Sequence, residues 1–203
     1  PMVWDHNHLV LLDQTRLPAR TEQVHIRTPS EAIAAIRTMQ VRGAPAIGVT
    51  AAYAMALAAR SVNTSAMSVF LHGLRAVARE IVAARPTAVN LGWAVARCMD
   101  LAELCKTPAD ACNGLLSLAH RIRDEDVAAN KSLGRFGAEL LPKNGGVLTH
   151  CNTGSLATAG YGTALGIIKC AWEVGKRPTI FCTETRPWLQ GSRLTTWELT
   201  RMG

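Results

Sequence analysis

Aromatic side chains are scarce in this 203-residue sequence, at 5%, and charged residues reach only 18%. No Lys/Arg cluster occurs and no basic residues alternate with aromatics, so the stacking track of a nucleic-acid binder is missing. The six cysteines, at 98, 105, 112, 151, 170 and 182, include no Cys-x-x-Cys pair. That argues against a structural zinc site and, in an intracellular chain, against a disulfide frame. His6 and His8 alone fall far short of a metal site. No G-x-x-x-x-G-K-[ST] segment is present, which leaves a nucleoside triphosphate site without support. The longest nearly uncharged apolar stretch, residues 44–59, is too short and too rich in Ala and Gly to span a bilayer. No charged-then-apolar leader precedes it, so the expected location is the cytoplasm, with neither a membrane nor a nucleic acid as partner.

What is present is apolar residue, 48% of the total, which excludes disordered, collagen-like and coiled-coil classes. The formal charge of +7 is spread almost evenly over the two halves. A diffuse surplus of Arg fits an anionic small molecule at least as well as a nucleic acid. The length allows one ordinary domain or two small ones.

Residues 1–27 read as a strand-and-turn region, broken by Asp13-Gln14-Thr15 and Pro18. Thr28-Pro29-Ser30-Glu31 is a capping box with Pro at the first helical position. Ile33, Ile36 and the side of Met39 form the apolar stripe of the helix that follows. Arg42-Gly43-Ala44-Pro45 ends it and opens a second, nearly all-apolar helix reaching about Arg60, which must be buried on most sides. Helical periodicity continues over 66–84, 88–104 and 108–141, with a break expected near Val127. Cys98, Cys105 and Cys112 recur at a helical spacing interrupted by Pro108 and read as small buried hydrophobes. Residues 28–144 thus form a helical domain.

From Gly145 the pattern changes. Residues 147–151 and 179–183 read as buried strands, separated by a helix over about 156–173 and followed by another over 192–202. Strand–helix–strand–helix predicts an α/β unit with a parallel sheet and crossover helices over 145–203. Two strands make an unviable parallel sheet, so the sheet is expected to be incomplete within these residues.

Ligands of open α/β sheets bind beyond the carboxyl ends of the strands. Cys151 ends the first strand there, and the amides of the following helix would favour its thiolate. Spacing alone serves a buried structural cysteine equally well. His150 should point to the opposite face, against a Cys–His dyad. Gly160-Tyr161-Gly162 and Gly166 do not match dinucleotide spacing and read as helix-interior packing glycines. Arg42-Gly43-Ala44 at a helix start suits a phosphate, with an ordinary helix-to-helix turn as the alternative. Arg85, before Pro86, is either a ligand cation or a solvated helix end. Gln190 lies after the second strand, on the same sheet edge as Cys151, and is grouped with it for that reason.

These segments together resemble one family. Val41-Arg42-Gly43-Ala44-Pro45-Ala46-Ile47-Gly48 and Arg85-Pro86-Thr87-Ala88-Val89-Asn90-Leu91 are similar to N-terminal motifs of the S-methyl-5-thioribose-1-phosphate isomerase family. The run from Leu148 through Cys151-Asn152-Thr153-Gly154-Ser155 to Gly166 resembles its signature block. Glu184-Thr185-Arg186-Pro187-Trp188-Leu189-Gln190-Gly191-Ser192-Arg193-Leu194-Thr195 continues the match. The resemblance implies a Rossmann-like sheet domain after a helical domain, and an aldose–ketose isomerase of methionine salvage that is a homodimer needing no cofactor or metal. It implies a catalytic role for Cys151, and substrate contacts for Arg42, Gly43, Ala44, Arg85 and Gln190, the first three around phosphate. The family's catalytic Asp belongs to a Gly-Ala-Asp-Arg block absent from this sequence, which therefore reads as a fragment. Two relatives share the fold: ribose-1,5-bisphosphate isomerase and the regulatory subunits of a translation-initiation exchange factor. Cys151 with Arg42-Gly43-Ala44 argues against the second, since a scaffold needs neither a thiol nor an anion clamp.

Overall fold

The computed structural model describes residues 1–203. Alternation of apolar and polar residues gives the N-terminal strands one buried face. β1 (Met2–Asp5), β2 (His8–Leu12) and β3 (Gln23–Ile26) form an antiparallel sheet in that order. Met2, Leu9, Leu11 and Ile26 turn inward and are buried. Leu9 lies opposite Ile26, and Val3 opposite Val10.

The five helices that follow are α1 (Pro29–Arg37), α2 (Ala44–Ser61), α3 (Met67–Ala84), α4 (Val89–Leu104) and α5 (Pro108–Leu140). The capping box of α1 forms as expected: Thr28 accepts from the Glu31 amide, and the Glu31 carboxylate accepts from the Thr28 amide at 3.0 Å. The α2 helix is buried continuously from Ala46 to Ala59 and is flanked by α1, α3, α4 and α5. A helix apolar on every side has no face to give to water, so it becomes the axis of the bundle. One core runs from Met2 through α2, α4 and α5 to Ala159, so the N-terminal sheet and the helices share their buried surface.

Two expectations fail here. The break near Val127 does not occur, and α5 is a single helix of 33 residues. Pro108 sits harmlessly in its first turn, no later Pro interrupts it, and Val127 packs against the core. The helix expected over 156–173 is instead a single 3₁₀ turn (Ser155–Ala157), an irregular segment, and then α6 (Ala164–Glu173). Gly160 and Gly162 lie in that segment, outside any helix. Gly162 has φ +96°, and a Cβ there would come within 2.7 Å of Gly154 backbone atoms; the two glycines form an isolated bridge. A left-handed residue in close backbone contact requires glycine and ends helical propagation. Gly166 does pack within a helix, against Tyr161, where a Cβ would fall 2.9 Å from the ring.

β4 (Gly146–His150) and β5 (Thr179–Thr183) pair in parallel across α6, with His150 opposite Thr183. The expectation that these strands are buried also fails: of their residues only Thr149 is buried, and Leu148 and Phe181, opposite each other, are exposed on one face because no further layer covers it. After β5 a π-helical turn (Gly191–Thr195) runs directly into α7 (Thr196–Met202). The molecule is therefore a mixed α/β fold in which a helical bundle abuts a short parallel unit.

Candidate active site

The first strand stops one residue earlier than the sequence predicts. Cys151 lies just beyond β4 with φ +63°, in the left-handed region. A non-glycine residue holds that conformation only where its surroundings impose it. The Thr195 hydroxyl donates to the Cys151 carbonyl. The Thr185 hydroxyl lies 3.9 Å from the Cys151 sulfur and also donates to the side-chain Oε1 of Gln190. The Thr185 hydroxyl has a single proton and can donate to only one of the two at a time; with that proton on Gln190 Oε1, a protonated thiol would donate to Thr185. The grouping of Gln190 with Cys151 at one sheet edge is thus realised through Thr185. His150 turns aside and pairs with Thr183 across the strands.

Arg42 approaches from the helical side and is only 5% exposed. Its Nη2 donates to the Gln14 carbonyl at 2.9 Å, while Nε and Nη1 are buried without any partner. Gln14 is held in turn by an Nε2 bond of 2.8 Å to the Leu156 carbonyl, and its Oε1 is also unpartnered. Burial lowers the Arg42 pKa, and the charge of Arg193 lowers it further, against the opposing pull of Cys151 and Asp13. Arg193 is itself fixed by donating to the carbonyls of Leu17 at 3.1 Å and Thr15 at 2.6 Å. Two cations converge here and Arg42 has donors to spare, an arrangement that an anion would complete.

Gly43 brings this cation to the thiol. It has φ +97°, and a Cβ on it would lie 2.4 Å from Ala157 backbone atoms. The start of α2 therefore rests directly on the turn that follows Cys151. No side chain caps that start, and Ala44 and Pro45 are its first residues. Open amides at the head of an 18-residue helix are an anion-binding feature. Arg85 stands at the α3–α4 break with Nη1 buried and unpartnered. No hydrogen bond or ion pair joins Arg85 to the Cys151 group; Asn90 of the same motif packs on Gly48 of α2. No group of three or more His, Cys, Asp or Glu side chains is placed to hold a metal ion. His6 pairs with Asp5 and His8 with His25, rather than with each other.

Gln14, Thr185 and Glu198 were not singled out by sequence reasoning. Gln14 and Glu198 have partners far away along the chain, as with Gln14 and Leu156, and Thr185 reaches Cys151 34 residues off as well as its near neighbour Gln190, so no local spacing marks the three. Glu184 secures the segment behind Gln190: its carboxylate accepts from the amides of Gly191 at 2.8 Å and Ser192 at 2.9 Å. Those contacts, led by the Ser192 side chain, hold its pKa at about 2. A depressed carboxylate stabilises the fold fully above its ordinary range, and that contribution fades as pH falls towards about 2. Glu184→Gln should accordingly lower the melting temperature near neutral pH, and thermal melts should show the gap to the parent closing as pH drops below about 4.5.

Residues 40–203 match the initiation factor 2 subunit family, and the chain belongs to that family. It is 47% identical to a protein of Desulforamulus reducens named methylthioribose-1-phosphate isomerase, over 100% of this chain and 59% of that protein. Among solved structures it is similar to 5-methylthioribose 1-phosphate isomerase from Pyrococcus horikoshii, with a TM-score of 0.92 and 36% identity over 100% of this chain and 57% of that one. It is also similar to the translation initiation factor eIF-2B, subunit delta, from A. fulgidus, with a TM-score of 0.89 and 40% identity over 98% of this chain and 58% of that one. The chain thus spans somewhat more than half the length of the relatives it matches. No helix is long and apolar enough to cross a membrane.

Proposed function

We propose that these residues supply the Cys151 side of a sugar-phosphate isomerase site, converting 5-methylthioribose 1-phosphate to 5-methylthioribulose 1-phosphate in methionine salvage. The observation that carries this reading is Arg42: a buried guanidinium with two unpartnered nitrogens beside an uncapped helix start. A phosphate on C1 would satisfy both, with Gly43 and Ala44 offering backbone and Arg85 and Gln190 completing the substrate contacts. That phosphate also blocks simple opening of the ring hemiacetal. Isomerisation therefore needs an acid at the ring oxygen with a base at the C2 proton, or a hydride shift from C2 to C1. Cys151 would act on the reacting carbons, with the family's Asp as its partner. No metal or cofactor enters either scheme. On this reading β4–α6–β5 begins a Rossmann-like sheet (residues 145–203) behind a helical domain (28–144) and the N-terminal sheet region (1–27), and the enzyme is a cytoplasmic homodimer.

The test is turnover and binding in the full natural polypeptide. Losing one charge-assisted contact costs about 1.5–3 kcal/mol, so Arg42→Ala should weaken sugar-phosphate affinity at least about tenfold by calorimetry. Equal affinity for the phosphorylated and unphosphorylated sugar would remove the clamp. A scaffold like the exchange-factor subunits would show no turnover at all. Preference for a ribose bisphosphate over the methylthio sugar would select the other isomerase.

A further inference from the structure

Glu198 is a buried carboxylate, 7% exposed, outside every role assigned above. The loop after Cys151 wraps around it. Asn152 donates to Glu198 from Nδ2 at 2.8 Å, and Ser155 donates from its amide at 2.7 Å and its hydroxyl at 2.6 Å. Between them, Gly154 leaves the space the carboxylate occupies: a Cβ there would lie 2.2 Å from Oε1. Burying a carboxylate is costly unless hydrogen bonds replace its water, and here the three donors all come from one short loop.

Thr195, 0% exposed, stands three residues before Glu198 and bonds the Cys151 carbonyl. Asn152 Nδ2 reaches Thr195 Oγ1 as well, at 3.4 Å. Residues three apart on a helix share a face, so the two side chains grip successive parts of the same loop. They do so across the junction of the π-helical turn and α7, and such turns alter the facing of the residues that follow.

We propose that Glu198 and Thr195 are positioning residues that hold Cys151 in its left-handed conformation and so aim its thiol into the site. The proposal rests on the reading of Cys151 as the reacting group, and it assigns neither residue a contact with substrate. Displacing a reacting group slightly is costly: about 1 Å can lose about 10²-fold in rate.

In the full natural polypeptide, Glu198→Gln keeps the shape but replaces one carboxylate oxygen by an NH2 donor, which must face either the Asn152 donor or the two Ser155 donors. Thr195→Val removes the hydroxyl at nearly constant volume, and Thr195→Ser retains it. We expect Glu198→Gln and Thr195→Val to lower kcat about tenfold or more, with KM little changed. Cys151 should be alkylated faster by iodoacetamide, because a loosened loop exposes its half-buried sulfur. Thr195→Ser should recover most of both readouts. Folded Glu198→Gln and Thr195→Val proteins with parental kcat and parental alkylation of Cys151 would overturn the proposal. So would equal losses in Thr195→Val and Thr195→Ser, which would make the effect one of packing. If Glu198→Gln does not fold, the valine–serine pair at 195 decides. Should Cys151→Ser retain activity, the catalytic reading falls, while the alkylation rates still decide whether the clamp exists.

Discussion

Cys151→Ser in the full natural polypeptide should cut kcat for the isomerisation about 10²-fold or more, the usual scale for a positioned acid or base. Substrate affinity should change little, because on the proposed reading the phosphate sits on Arg42 and the helix start rather than on sulfur. Serine is the informative substitution. It preserves size and the contact with Thr185, so a loss reports on the chemistry of the thiol and not on a cavity. Alkylation supplies an independent measure. Burial pushes Cys98 up to about 12 and raises Cys105 and Cys112 as well, and Cys170 is buried. Iodoacetamide should therefore modify Cys151 ahead of these four, and peptide mapping should show protection by bound sugar phosphate. Cys182, inside β5 opposite Thr149 and with no role in the proposed site, should gain no such protection. Full activity in Cys151→Ser, or alkylation that substrate leaves untouched, would make the thiol structural.

Gly43→Ala should destabilise the fold by about 3 kcal/mol or more, among the larger single-residue effects. Two costs combine. A side chain at φ +97° is strained, worth about 1–3 kcal/mol by itself. The added Cβ also meets the Ala157 Cα and carbonyl at 2.4 Å, and backbone cannot step aside as a flexible side chain can. Relief requires α2 to separate from the turn after Cys151, so sugar-phosphate binding should fall along with the melting temperature. Gly92→Ala is the control. It lies inside α4 with nothing within 4 Å of the new Cβ, and should gain up to about 1 kcal/mol from helix propensity. Comparable melting temperatures for the two variants would show that the Gly43 contact is not tight.

The helices were legible because their signals are local. Thr28 and Glu31 cap α1 with atoms three residues apart, Pro108 marks the first turn of α5, and the unbroken apolar run of α2 forces it to the centre. The strand at Thr179–Thr183 is marked in the same way, by a short apolar segment after Gly175 and Pro178. The segment 155–163 was misread because its apolar content mimics a helix. Its geometry is instead set by the approach of Gly162 to Gly154 and by the Asp126 carboxylate, which accepts from the Ala159 amide at 2.8 Å.

At the candidate site, residue type and order bring Cys151, Arg42 and Gln190 forward as candidates, since a thiol beyond a strand, an Arg before a helix start and a polar residue on the same edge are each read from neighbours in sequence. Spacing leaves a structural reading open for the first two, and only the family resemblance assigns them roles. What surrounds them was not readable in that way. The unpartnered nitrogens of Arg42, the Thr185 hydroxyl between Cys151 and Gln190, and the Glu198 carboxylate inside the Cys151 loop are properties of packing. Hydrogen bonding and desolvation act over a few ångströms in space, while most of the groups concerned stand tens to more than a hundred residues apart, Thr185 and Gln190 being the near pair. Periodicity and capping thus determined which segments become helices and strands, and only their packing decided which polar atoms were left buried, facing one another and short of a partner.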